Sequence, residues 1–365
     1  MSFHLPKYTV VSEYTRNVTT MATQRIYSKG ILGSSYKRAW DAGFTGKGII
    51  VAILDTGIDG NHPDLRGKII KSINLTNEGL QSSHGTHVAG TIAANGWLLG
   101  GAPDASLIDI KVLGRNGGPI ATIARAITLA VDNGASVINM SLGGSGLSQF
   151  DIQLLNNAIQ DAWNRGAICI AAAGNNGTSV NTPDIYAYPA SVERAESVAA
   201  CDIEENLDNI SLATFSNEND RVDLAACGKN IVSTVMGGKY AIYSGTSMAT
   251  PHVSAMAAIL SQYIKTQNPG LQGSAFSSAL ESLLKSHIIK VQKCGSKSSI
   301  ITIGGKVILE HTATNTCINP KDNISYGKIS FGLGFLRYDP IKAPIIPVGT
   351  KYYHNGIFLG YQVNQ

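Results

Sequence analysis

The sequence predicts an α/β fold in which a mostly parallel central sheet carries helices on both faces. Three observations lead there. Near-continuous apolar runs of strand length recur at residues 48–54, 107–113, 136–140, 167–173 and 196–201, as expected of strands covered on both sides. Segments with apolar residues at helical spacing lie between them, and strand–helix alternation favours a parallel sheet. No internal repeat or low-complexity stretch is visible, which excludes a solenoid.

The elements follow in order. Run 48–54 (GIIVAIL) ends at Asp55 and the turn DTGID. SSHGTHVAGTIAA then reads as a buried helix with His84 at its N-terminal end, before strand 107–113. Helix 120–131 places Ile120, Ile123, Ala124, Ile127 and Val131 on one face. Helix 151–165 does so with Ile152, Leu155, Ile159 and Trp163 and stops at Gly166, a residue suited to a helix end. Strand 167–173 leads into AAAGNNG, and strand 196–201 precedes YSGTSMATPHVSAMAAIL, an Ala-rich apolar helix. Ligands of such sheets sit beyond the carboxyl ends of strands.

A length of 365 residues admits two domains or one large domain with tails. The simplest parse is one domain over 24–340, a polar extension over 1–23 and a Pro-punctuated tail over 341–365. With 44% hydrophobic and 15% charged residues the chain is too apolar for disorder, and its apolar runs stay short of a membrane span. A net charge of +4 without a basic block argues against nucleic acid. The first residues lack a basic stretch followed by an apolar one, so no secretory signal is expected. Cys169 and Cys201 lie in apolar runs and read as free core thiols of a reducing compartment, which points to the cytoplasm. Cys294 and Cys317 bracket an irregular stretch and are the one pair offered for a bridge.

Four positions carry candidate chemistry. Asp55 closes a buried strand, where its carboxylate needs donors; an Asx-turn or a helix cap accounts for it as well. His84 and His87 stand three apart and fit two metal ligands, which raises a zinc hydrolase, yet no Glu lies between them to act as base. For His87 a packed core histidine is the simpler reading. Ser247 sits among small residues at a helix N-terminus, where orphan N–H groups favour negative charge, although an N-cap serine also belongs there. Asn175 lies between a strand end and glycines, where turn asparagines are common.

Asp55, His84 and Ser247 occur in the chain order Asp, His, Ser known from subtilisin. DTGID, HGTHVAGTIAA, AAAGNNG and GTSMATPHVSA, with HPDL, MSLGG and YPA between them, resemble the motif set of the subtilisin-like serine proteases over roughly residues 26–339. The resemblance implies the subtilisin-like three-layer fold and a serine endopeptidase acting through an acyl-enzyme. Ser247 would be the nucleophile, His84 the general base and then acid, and Asp55 the residue that orients the imidazole. Asn175 and the Ser247 N–H would form the oxyanion hole. Ser141, Leu142 and Gly143 would pair with substrate backbone on one side and Gly117 and Gly118 on the other. Ala171, Gly174 and Ala187 would wall the pocket for the residue before the cut, which favours an apolar or aromatic side chain unless Asp184 points inward.

The resemblance implies no cofactor for the chemistry. It leaves structural calcium open through Asp64 of HPDL, although the family's calcium-binding loop after the histidine helix is here reduced to NGWLL. Cys227 stands where the family usually has proline. Among members, the chain looks closer to intracellular subtilisins, whose short N-terminal extension crosses the active site. Leu5, Pro6, Lys7 and Tyr8 are similar to the segment that does so; the run HLPKYTVV can add as a strand between Ser141–Gly143 and Gly117–Gly118 and so inhibit, and a disordered terminus is the alternative reading of residues 1–23. Protein or peptide substrates are the implied partners, neither nucleic acid nor membrane is, and a homo-oligomer is compatible. The readings from other classes are a non-catalytic binding protein of the same fold and the zinc hydrolase.

Overall fold

A computed structural model describes residues 2–4, 9–14, 24–28, 30–31, 36–177, 185–203, 210–286, 299–303, 306–310, 350–354 and 357–364. The central sheet has eight strands. Along the main path their order is Ile210–Leu212, Ala195–Ile203, Ile168–Ala172, Val137–Met140, Ile50–Asp55, Ser106–Lys111 and Ile69–Asn74, and Leu224–Cys227 also pairs with Ala195–Ile203. Ile210–Leu212 runs antiparallel, and the other seven are parallel. All five strands expected from the apolar runs lie in this sheet. Ile69–Asn74 escapes that search because it is an edge strand with mostly exposed residues and no apolar run.

Helices cover both faces and bury two apolar clusters. On one side Ile120–Asp132 and Gln149–Asn164 bring Ile123, Ile127, Leu155 and Ile159 onto Ala52, Leu54 and Ile138. On the other, the histidine helix His84–Ala93 and the serine helix Thr246–Gln267 pack on each other and on Val51, Ile53 and Ile170. Every residue of the histidine helix is buried, which explains its Val-Ala-Gly-Thr-Ile-Ala-Ala composition without a polar stripe. Among the described residues no helix is long and apolar enough to cross a membrane.

The chain ends add smaller sheets. Ser2–Phe3 pairs antiparallel with Gly118–Pro119, and His4 bridges Gly143. Thr9–Tyr14 pairs antiparallel with Lys239–Ser244, the strand that leads into the serine helix. Gln24–Ser28 pairs with Leu98–Leu99 and with Ile357–Asn364, which folds back on Thr350–His354. These pairings differ in detail from the expected one. Ser2, Phe3 and His4 are the residues that pair with Gly118–Pro119 and Gly143, whereas residues 9–14, which overlap only the end of HLPKYTVV, pair with Lys239–Ser244; Leu5, Pro6, Lys7 and Tyr8 lie outside the described residues, as do Asp184, Cys294 and Cys317. Cys169, Cys201 and Cys227 are buried and form no disulfide among the described residues, and burial pushes the Cys169 thiol up to about 12.

Candidate active site

The site forms where parallel strands end side by side. Ile53 is level with Asn139, so Asp55 and Ser141, two residues further on, face the same edge about 5 Å apart in strand spacing. His84 opens its helix opposite Asp55, and its Nδ1 lies 2.9 and 3.0 Å from the two carboxylate oxygens. The Thr56 N–H also donates to Asp55 Oδ1 at 2.7 Å. Helix and turn can approach this closely because position 85 is glycine: a Cβ there would lie 2.4 Å from the Gly57 carbonyl. Lys111 fixes the turn from behind, its Nζ donating to the carbonyls of Thr56 and Leu113, and burial lowers its pKa.

Ser247 is the second residue of its helix, and its Oγ donates to the Ser141 carbonyl at 3.1 Å. In return Ser141 Oγ donates to the Ser247 carbonyl at 2.9 Å. Asn139 holds Ser141 Oγ at 3.0 Å and accepts from Ser254 Oγ at 2.8 Å. Asn175 is placed by Thr246, whose N–H and Oγ1 both donate to Oδ1, at 2.8 and 2.7 Å. With the oxygen so engaged, the amide NH₂ is turned to the other side of the group. The residues expected to wall the pocket are close-packed: a Cβ on Gly174 would lie 3.3 Å from Ala187 Cβ and 2.5 Å from Asn217 Nδ2. Ala171 is buried at the sheet end.

Two networks thus gather the predicted residues, Asp55 with His84 and Ser247 with Ser141 and Asn175. Between Gly118 and Gly143 lies the chain's own N-terminus. His4 exchanges two backbone hydrogen bonds with Gly143, at 3.2 and 3.1 Å, and Phe3 is wholly buried in the cluster containing Leu113, Ile120, Ile123 and Leu142. Gly117 has φ +84°, and a Cβ there would lie 2.1 Å from the Phe3 carbonyl.

A model of the subtilase family matches residues 46–298. The chain belongs to this family. The subtilase is 42% identical over 231 residues to the thermophilic serine proteinase of Bacillus sp. (strain AK1), a match covering 61% of this chain and 54% of that protein. It is 41% identical over 237 residues to the major intracellular serine protease of Bacillus subtilis (strain 168), covering 61% and 72%. To thermitase of Thermoactinomyces vulgaris it is 40% identical over 236 residues, covering 61% and 78%. The match thus spans about half the length of the first of these relatives and about three quarters of the other two.

The paired-histidine reading does not hold in this subtilase. His87 Nε2 faces the carbonyls of Ile231 and Ala241 at 3.0 and 3.2 Å, and its ring stacks on Tyr243 at 4.3 Å. Burial pushes its pKa down to about 3, so it is a neutral packed imidazole. Asp64 does not fit a calcium ligand either. Its Oδ1 accepts from the Trp97 N–H at 3.0 Å, and its Oδ2 from the Leu98 N–H and the Tyr240 hydroxyl, both at 2.8 Å. Calcium takes about six to eight oxygen ligands, whereas the groups turned to this carboxylate are hydrogen donors. A Cβ on Gly96 would lie 1.9 Å from Asp64 Oδ1, which leaves no gap for an ion on that side.

Sequence reasoning gave no role to Asn139, Thr246, Ser254 or Asn217, although Thr246 and Ser254 lie within GTSMATPHVSA and Asn139 is one of two polar residues in the run SVINM.

Proposed function

We propose that this subtilase is a serine endopeptidase of the cytoplasm, held in check by its own N-terminus. The observation that carries the first part is the His84 ring fixed by both oxygens of Asp55, at the carboxyl end of the strand beside the one after which Ser141 bonds Ser247. With Nδ1–H donated to the carboxylate, Nε2 is the ring atom left to act as base. Ser247 Oγ attacks the scissile carbonyl carbon while Nε2 takes its proton. Negative charge then develops on the carbonyl oxygen, where the Asn175 amide and the Ser247 N–H at the helix start can donate. Collapse expels the amine, which receives the proton from His84, and leaves the acyl group on Oγ. Water activated by the same imidazole releases the acid and restores Ser247.

The second part rests on the groove. Ser2, Phe3 and His4 lie along Gly118 and Gly143 as an added strand, the mode by which extended peptides join sheet edges. In this form neither Ser247 nor His84 exposes any surface. A substrate has to displace these residues. The burial of Phe3 further argues that substrates with a large apolar side chain at the equivalent place are preferred.

Turnover of an internally quenched peptide by the full chain, its Ser247→Ala variant and its Phe3→Ala variant tests both parts. The proposal requires no turnover in the first variant and faster turnover in the second. Activity retained by Ser247→Ala contradicts the first part, and an unchanged rate in Phe3→Ala contradicts the second.

A further inference from the structure

We infer that Asp64 is a metal-free hub that anchors both strands on which the N-terminal segment docks, the segment taken here as residues 9–14 of the extension together with residues 24–28 that follow it. Two of the three donors on its carboxylate belong to residues that pair with that segment. Leu98, whose N–H reaches Oδ2, is the register partner of Ile26. Tyr240, whose hydroxyl reaches the same oxygen, is the register partner of Tyr14. One carboxylate therefore joins the strand that receives residues 9–14 to the strand that receives residues 24–28.

The surroundings rigidify this link. The rings of Trp97 and His62 pack edge-on against Tyr240, at 4.5 and 5.2 Å between centroids. His62 Nδ1 accepts from the Asp64 N–H at 3.1 Å, and Nε2 meets the carbonyl of Lys239, the neighbour of Tyr240, at 2.9 Å. The Asn95 N–H donates to the Asp64 carbonyl at 2.9 Å, closing the short loop onto the same residue. Asp64 is 3% exposed, and a buried carboxylate without donors is costly. The loop amides and the tyrosine therefore do here what a cation would otherwise do. The hub is a positioning device, and it rests on the proposed function only in taking the N-terminal segment as regulatory.

Hydrogen exchange and thermal melting of the full chain and of Asp64→Asn, in chelator and in millimolar calcium, test it apart from any peptidase activity. Asparagine keeps the shape but turns an NH₂ toward the donors. Amides of residues 9–14 and 24–28 are expected to exchange about ten-fold faster in the variant, those of Val137–Met140 at an unchanged rate. The wild-type melting temperature is expected to stay within about 1 °C between the two buffers, since a ligand stabilises only a protein that binds it. Should Asp64→Asn fail to fold, Tyr240→Phe removes one donor and keeps the backbone, and faster exchange over 9–14 is the expected result. Unchanged exchange in the strands tested, or a calcium-induced rise of several degrees that Asp64→Asn abolishes, overturns the inference.

Discussion

Ser141 and Ser247 bond each other reciprocally, each hydroxyl donating to the other's carbonyl, at 2.9 and 3.1 Å. The Ser247 carbonyl is open to this because the residue four positions on is Pro251, which has no N–H to give it. The helix ladder thus lacks one bond at Ser247, and Ser141, just past the strand Val137–Met140, supplies the replacement. Ser141→Ala should cost about 1–3 kcal/mol, because the Ser247 carbonyl and an Asn139 N–H lose their buried partner. Chemical denaturation measures the loss, and a value within error of zero removes Ser141 from the network.

Asn175→Ala removes the proposed side-chain donor to the oxyanion. A fall in kcat of about 10²–10³ with little change in KM is expected, a magnitude carried over from subtilisin. Steady-state kinetics decide it, and an equal change in KM with kcat intact would place Asn175 in ground-state binding instead.

Acid should weaken the fold through buried imidazoles. Burial pushes His87 down to about 3 and His252 to about 4, whereas both titrate near 6.5 when unfolded. Their contribution is complete above about 6.5 and is lost as pH falls from there through the folded values, at about 1.4 kcal/mol per pH unit for each. His252→Gln should therefore reduce the slope of unfolding free energy between pH 6 and 5 by about that amount. An unaltered slope would mean that His252 is protonated in the native state.

Asp109 acts in the opposite direction. Burial raises its carboxyl to about 6, with the nearby Asp55 charge adding to the rise. A raised carboxyl contributes stability that is present below its unfolded value and lost as pH climbs to the folded one. Asp109→Asn is therefore expected to stabilise the protein at pH 8 by about 3 kcal/mol and to have little effect at pH 4. Urea midpoints at the two pH values test this, and destabilisation at pH 8 would contradict it.

The buried centre of the fold was legible because both faces of each parallel strand are covered, so runs such as IVAIL announce themselves without partners. Asp55, His84, Asn175 and Ser247 were legible through short motifs whose small residues reflect close approach, as at Gly85. The strands at the chain ends were not: Thr9–Tyr14 and Gln24–Ser28 are defined by partners more than 70 residues distant, about which their own residues say nothing. Thr246 and Ser254 were hidden for a related reason. A hydroxyl on an Ala-rich helix reads as a neutral helix residue until its partners, Asn175 and Asn139, are in place.

The central claim is that Ser247 is a nucleophile activated by His84 and Asp55. Mass-spectrometric mapping of a fluorophosphonate adduct on the full chain carrying Phe3→Ala tests it most directly. One adduct is expected, on Ser247, that forms equally in chelator and disappears in His84→Ala. Absence of labelling at Ser247, or labelling that depends on added divalent metal, would contradict it.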